Sequence, residues 1–228
     1  MKPIARISSP FTTKFGIPRQ SGLVQSLRGK IIFEPEYRVP EAFRGLEGYS
    51  HIWLLWEFSE AKRDGWSPTV RPPRLGGNKR VGVFATRSPF RPNSIGLSVV
   101  KLERIEYDSP EGVVLHINGA DLMDGTPIYD IKPYLPHIES IPDARAGFSA
   151  EASKYSLCVD IPEDIAEKIP PEHRNALLEA LAQDPRPSYQ NDPERVYGFA
   201  FAGMEVKFRV GGGTLYVTDV ESASDCEC

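Results

Sequence analysis

The sequence predicts a mainly β protein: an N-terminal antiparallel β-barrel domain followed by a smaller α+β C-terminal domain. Three observations carry that expectation. Short β-branched runs recur along residues 1–138, separated by proline- and glycine-rich turns and with hardly any helical periodicity; many short strands between turn signals read as a barrel or sandwich. After about residue 138 the pattern changes, and Pro171 to Ala182 shows a helix with proline in its first turn and Leu177, Leu178 and Leu181 on one face. Three further strands close the chain, the last two joined by Gly211, Gly212 and Gly213, a hairpin turn. The expected division is 1–138 for the barrel, 139–222 for the α+β domain and 223–228 for a disordered tail.

Taken in order, residues 4–7 read as an opening strand. Residues 8–29 form a long loop with two prolines and three glycines; inside a compact domain such a loop is either functional or disordered. Residues 30–34 read as a strand, 40–48 as one or two helical turns closed by glycine, and 50–58 as the most apolar and central strand. Residues 68–78 are basic, stiffened by proline and without expected secondary structure. Strands are expected over 81–85 and 95–107, with 86–94 between them. Pro89 and Pro92 exclude a strand core there, so Arg87, Arg91 and Asn93 are presented on a stiff polar loop, the usual carrier of a site. A turn over 109–112, a partner strand over 113–117, a turn cluster over 121–127 and a strand over 128–131 complete the barrel. Further on, strands are expected over 155–161, 196–201, 204–210 and 214–220, and an extended stretch over 184–189.

Composition bounds the function. Of 228 residues, 40% are hydrophobic and 25% charged, ordinary for a globular chain. No apolar run is long enough to cross a membrane as a helix, and the N-terminus lacks the apolar core of a signal peptide; a cytoplasmic protein is expected. Cys158, Cys226 and Cys228 suit a reducing compartment, and His51, His116, His137 and His173 have no metal-ligand spacing, so no metal is expected. Net charge is −4, yet residues 62–104 carry 10 Lys/Arg against only Asp64 and Glu103. A basic segment in an acidic chain points to an anionic partner. No G-x-G-x-x-G joins a strand to a helix, and there is neither a P-loop nor a G-x-S-x-G elbow; Rossmann cofactor sites and serine hydrolases are disfavoured.

What is left are polar residues at strand ends and in loops: Arg19, Gln20, His51, Arg87, Arg91, Asn93, Asp121 and Asp124. Gathered at one rim, they would offer cations for a carboxylate or phosphate, and carboxylates for hydroxyls or a positive ligand. A zwitterionic ligand matches both.

The runs PRQ-x-G-L-V (18–24), PTVRPPRLGGN (68–78), R-x-GVFATRSPFRPN (80–93), IGLS (95–98), DL-x-DGTP-x-x-DIKPYLP (121–136) and DPRPSY (184–189) resemble the TrmO, or TsaA-like, family of tRNA methyltransferases. The resemblance covers nearly the whole chain. It implies a β-barrel that binds S-adenosyl-L-methionine and methylates N6 of N6-threonylcarbamoyladenosine, just 3′ of the anticodon in threonine tRNA, by in-line transfer. It also implies a homodimer with the cofactor near the subunit boundary. Its cofactor contacts fall on Pro18, Arg19, Gln20, His51, Ile52, Arg87, Leu97, Asp121, Leu122, Met123 and Asp124. The substrate nitrogen is a poor nucleophile because its lone pair is delocalised, so a group that draws off its proton is expected. Asn93, Asp124 and Tyr189 are the candidates. The basic segment supplies Lys62, Arg63, Arg71, Arg74, Lys79, Arg80 and Arg91 for phosphates, with Arg186 added from the C-terminal domain. Two other classes fit the composition: a non-enzymatic β-barrel regulator that binds the same cofactor, and a general RNA-binding module.

Overall fold

The computed structural model describes residues 1–61, 65–72, 79–152, 156–186 and 192–222. The N-terminal strands are β1 (Ala5–Ser8), β2 (Arg28–Phe33), β3 (His51–Glu57), β4 (Thr69–Val70), β5 (Val81–Gly82), β6 (Ile95–Ser109), β7 (Gly112–Asn118) and β8 (Pro127–Pro133). Six of them close into an antiparallel barrel in the order β1-β2-β7-β6-β3-β8. Closure follows from strict alternation. In β3, Ile52, Leu54 and Trp56 are buried, and the residues between them are half-buried. In β6, Gly96, Ser98, Val100 and Leu102 turn inward while Ile95, Leu97 and Lys101 face out. A period of two puts one set in the core and leaves the other for solvent or ligand.

The stretch before the Arg87 loop differs from expectation. Only Val81–Gly82 is strand; Val83–Ala85 forms a 3₁₀ turn. Thr86 explains the change, because its hydroxyl donates to the Val83 carbonyl at 2.8 Å and closes the turn. The residues expected to lack structure supply β4, which pairs with β5 in a two-stranded ribbon outside the barrel. So the loop is held between a ribbon and a barrel strand.

Two single helical turns, α1 (Pro136–Glu139) and α2 (Ser149–Ala152), lie in the connection to the C-terminal unit. There, β9 (Cys158–Asp160), α3 (Glu163–Glu167), α4 (Pro171–Ala182), β10 (Tyr197–Phe201), β11 (Met204–Gly211) and β12 (Thr214–Ser222) follow. The sheet order is β10-β11-β12-β9, with β9 parallel to β12. Helix α4 buries Ala176, Leu177, Ala180 and Leu181, whereas Leu178 is exposed. Positions i, i+1, i+4 and i+5 share a face, and Leu178 lies one step around from it.

The long N-terminal loop is ordered and bridges the two units. Phe11, Val24 and Leu27 are buried in the C-terminal core, where the Phe11 ring lies 5.2 Å from that of Phe201. Gly16 has φ +91°, and a Cβ there would come within 2.4 Å of the Phe199 ring; both the conformation and the space require glycine. On the barrel side, Gly22 N–H donates to the Gly119 carbonyl and Gly119 N–H to that of Leu27. No described helix is long and apolar enough to cross a membrane. The expected tail over 223–228, with Cys226 and Cys228, lies outside the described residues.

Candidate active site

A cavity of about 720 Å³ opens where β3 ends and β6 begins. Five segments wall it: the long N-terminal loop, which straps the two units together, at Ile17, Pro18, Arg19 and Gln20; Trp56 to Ala61; the loop carrying Arg87 and Arg91; the start of β6 at Ile95, Gly96 and Leu97; and the turn after β7 with Asp121 and Met123. Volumes of about 300–1,000 Å³ are usual for small-molecule sites.

Asp121 lies at its polar centre. The indole N–H of Trp56 donates to Ser98 Oγ at 2.9 Å, and the Ser98 hydroxyl donates to Asp121 Oδ1 at 2.6 Å. Trp56 and Ser98 are both buried, so the carboxylate is held by a fixed neutral pair. Burial pushes the Asp121 carboxyl above its ordinary value, opposed by the Ser98 hydroxyl, backbone N–H groups and the Arg87 charge. Arg87 donates to Gln20 Oε1 at 2.5 Å, and Gln20 donates back to the Arg19 carbonyl at 2.5 Å. Arg19 in turn donates to the Asp184 carbonyl at 3.1 Å, tying this wall to the C-terminal unit. Gly96, opposite Trp56 in the β3–β6 ladder, makes room for the indole: a Cβ there would come within 2.2 Å of it.

Most of the residues expected around one ligand therefore line one cavity: Pro18, Arg19, Gln20, Arg87, Leu97, Asp121 and Met123. Four do not. His51 and Ile52 open β3, whereas the cavity lies beyond its other end; at about 3.3 Å per residue the ends stand about 20 Å apart. Ile52 is fully buried in the barrel, and His51 pairs with the Ser50 hydroxyl and packs near Tyr134. Leu122 sends its side chain into the barrel core. Asp124 is exposed and accepts the Ser9 N–H at 2.9 Å, while its own N–H donates to the Phe11 carbonyl; its carboxylate shapes the turn. Ser59 and Glu60, on the wall just beyond β3, carry no motif and escaped sequence reading. Trp56, Ser98 and Gly96 escaped it as well, although a glycine inside a strand is itself a signal of close approach.

Asn93 lines a second cavity, of about 920 Å³, and not the first, whereas Arg91 lines both. The Arg91 guanidinium donates to the Thr86 carbonyl at 3.0 Å and braces its own loop. In the second cavity the Tyr129 hydroxyl donates to the Glu57 carboxylate, which pushes the phenol up to about 12. Arg71, Lys79 and Arg80 are exposed around the ribbon, with Arg80 donating to Thr69 Oγ1 at 2.9 Å. Arg186 is not available to RNA phosphates: it is buried, and its Nε and Nη2 grip both Asp184 carboxylate oxygens at 2.8 and 3.0 Å. Lys62, Arg63, Arg74 and Tyr189 lie outside the described residues.

Residues 6–140 match the family description "tRNA-methyltransferase O N-terminal domain", and residues 156–223 match "TrmO C-terminal domain". The chain belongs to the TrmO family. It is 44% identical over 215 residues to a tRNA (adenine(37)-N6)-methyltransferase of Escherichia coli K12, covering 91% of each chain. It is 51% identical over 172 residues to one of Eikenella corrodens, covering 75% of this chain and 97% of that one. The crystal structure of TrmO from Pseudomonas aeruginosa superposes with a TM-score of 0.77 at 36% identity, over 96% of this chain and 97% of that one. Membership makes the chain a methyltransferase, with a mainly β barrel and a smaller α+β unit as in the TrmO structures. A relative from Pseudomonas aeruginosa, 44% identical, is named a putative S-adenosylmethionine-dependent methyltransferase. The first cavity has the donor set such a cofactor needs: a half-buried carboxylate whose natural partner is a cation, a guanidinium for a carboxylate, and apolar surface at Pro18, Phe90, Ile95 and Leu97 for a purine.

Proposed function

We propose that this protein N6-methylates the adenine 3′ of the tRNA anticodon, in the form of N6-threonylcarbamoyladenosine and in threonine tRNA, with S-adenosyl-L-methionine as methyl donor. One observation carries the reading: a half-buried carboxylate, Asp121, and a guanidinium, Arg87, stand in one cavity sized for a small molecule. A cavity lined by both cationic and carboxylate side chains suits a zwitterion. The relatives named above support adenine N6 as the target.

When bound, S-adenosylmethionine supplies an electrophilic methyl group on a sulfonium. The chain's own part is positioning, and holding the reacting groups in line supplies much of the rate. Asp121, oriented by Ser98, takes the ammonium; Arg87, steadied by Gln20, takes the carboxylate. Leu97, Ile95 and Pro18 cover the adenine and exclude water. Among the described residues, Asn93 is proposed to accept a hydrogen bond from N6–H through its amide oxygen, with the proton passing to solvent as the methyl arrives, because Asp124 is committed to its turn. Arg71, Lys79 and Arg80 approach phosphates of the anticodon stem-loop. We also propose a cytoplasmic homodimer, which would cover the exposed Ile95 and Leu97 at the cavity rim.

The test mixes purified protein, methyl-labelled S-adenosylmethionine and threonine tRNA with or without its threonylcarbamoyl group. Label transferred only to the modified tRNA is the expected result. Cofactor binding with no transfer to either tRNA would instead favour a non-enzymatic regulator.

A further inference from the structure

The second cavity shares Glu57, Ala61, Phe90, Arg91 and Ile95 with the first. Methyl transfer between two bound molecules needs their reacting atoms in contact, so the two sites must adjoin. We infer that this second cavity holds the target adenine, with Trp66 as its stacking surface, Asn93 as the group that reads its edge and Arg91 as partner for its anionic N6 substituent. The inference rests on the tRNA-methyltransferase reading above.

Trp66 lines the cavity and is 55% exposed, with its ring 6.1 Å from that of Phe84, itself 71% exposed. Large aromatic faces left open beside cationic side chains suit unstacked bases, because every base offers a π-face. The cations are close in the fold: Trp66 and Ser67 lead directly into the ribbon, where Arg80 is bonded to Thr69. Asn93 carries both a donor and an acceptor, as a purine edge requires. Arg91 is pinned by the carbonyls of Thr86 and Ser88 at 3.0 and 3.4 Å, so its charge is fixed on the wall between the two cavities. A carboxylate at the end of an N6 substituent would meet that charge while N6 itself faces the first cavity. Glu57, the acidic group in the second cavity, accepts the Tyr129 hydroxyl and keeps its charge, so the substituent's carboxylate is expected on the Arg91 side and away from Glu57.

The experiment measures tRNA KM, kcat and cofactor affinity for Trp66→Ala, Trp66→Phe and Asn93→Ala, with sedimentation of each. The substrate is an anticodon stem-loop RNA carrying N6-threonylcarbamoyladenosine. Loss of one stacking contact is expected to raise the RNA KM of Trp66→Ala about five- to a hundredfold. Its affinity for S-adenosylmethionine should stay unchanged, and Trp66→Phe should recover most of the loss. Asn93→Ala should lower kcat at saturating RNA. Wild-type kinetics in Trp66→Ala would overturn the inference. So would a parallel loss of cofactor affinity, which would make the two cavities one site. A changed protomer–dimer equilibrium in Trp66→Ala would assign the aromatic surface to a second copy and overturn it too. Failure of the wild-type protein to methylate any tRNA would sink the parent reading, whereas wild-type activity with an unaffected Trp66→Ala sinks this inference alone.

Discussion

Asp121 pairs two demands that oppose each other. Burial disfavours its charge, and the proposed ligand requires it. With the carboxyl raised in the folded chain, ionisation works against folding above that raised value. The penalty disappears below 3.8, where folded and unfolded chains are both protonated. Asp121→Asn is therefore expected to raise Tm at neutral pH, with the gain shrinking to nothing as the pH falls below 3.8; thermal scans across pH check this. Cofactor affinity of the wild type should weaken in the same direction, because only the ionised carboxylate attracts an ammonium. Ser98 acts through Asp121. A hydrogen bond to a charged group contributes about 1.5–3 kcal/mol, so Ser98→Ala should raise the cofactor KM at least tenfold with little change in kcat, and Ser98→Thr should restore part of it. Equal KM values for wild type and Ser98→Ala would show that the hydroxyl has no such role.

Strands β3 and β6 pair over seven residues, and the site depends on one of those pairs, Trp56 with Gly96. The indole occupies the place of a missing side chain, and that position lets its N–H reach Ser98. Gly96→Ala would force the ring aside. Overpacking of this kind costs about 1–3 kcal/mol, and it would also break the chain of donors to Asp121. The expected outcome is a lower denaturation midpoint together with weaker cofactor binding, measured on the same preparation. Unchanged binding in a destabilised variant would separate packing from positioning. The Arg87 loop owes its stiffness to short local bonds as well as to its prolines. Thr86 and Ser88 hydroxyls accept the N–H groups of Ser88 and Phe90, and Arg91 closes over both carbonyls. The prolines alone announced stiffness; the bonds that complete it involve residue types too common to signal anything in a sequence.

Across the molecule, the strap makes the barrel and the C-terminal unit depend on each other. Phe11 leaves β1 and enters the other core against Phe199 and Phe201. Truncating a buried phenylalanine costs about 3–5 kcal/mol. Phe11→Ala should lower stability by that amount and displace Pro18, Arg19 and Gln20 from the cavity wall, seen as weaker cofactor binding. Arg186 gives a second test at this scale. Breaking a buried ion pair costs about 3–5 kcal/mol, so Arg186→Ala should destabilise strongly while leaving the salt dependence of tRNA binding intact. Arg71→Ala should do the reverse, flattening the salt dependence with little loss of stability. A flattened salt slope in Arg186→Ala would return that residue to the RNA interface.

Local rules along the chain determined that residues 50–58 form a strand but not which face turns inward, since Ile52 to Trp56 are all apolar and only the closed barrel buries Ile52, Leu54 and Trp56. They determined the helix over Pro171–Ala182 from its period, and the stiff loop from Pro89 and Pro92. Ordered motifs over most of the length also placed the chain in its family. Tertiary structure decided what each polar residue does, because a side chain's partner can come from anywhere in the chain. Arg87 and Arg186 look alike in sequence; one reaches Gln20 across the cavity, and the other is buried against Asp184. His51 and Glu60 are near in sequence, yet the extended backbone of β3 carries one away from the cavity and the other onto its wall. The long loop became a strap for the same reason: the surface that orders Phe11 is built by β10, far along the chain.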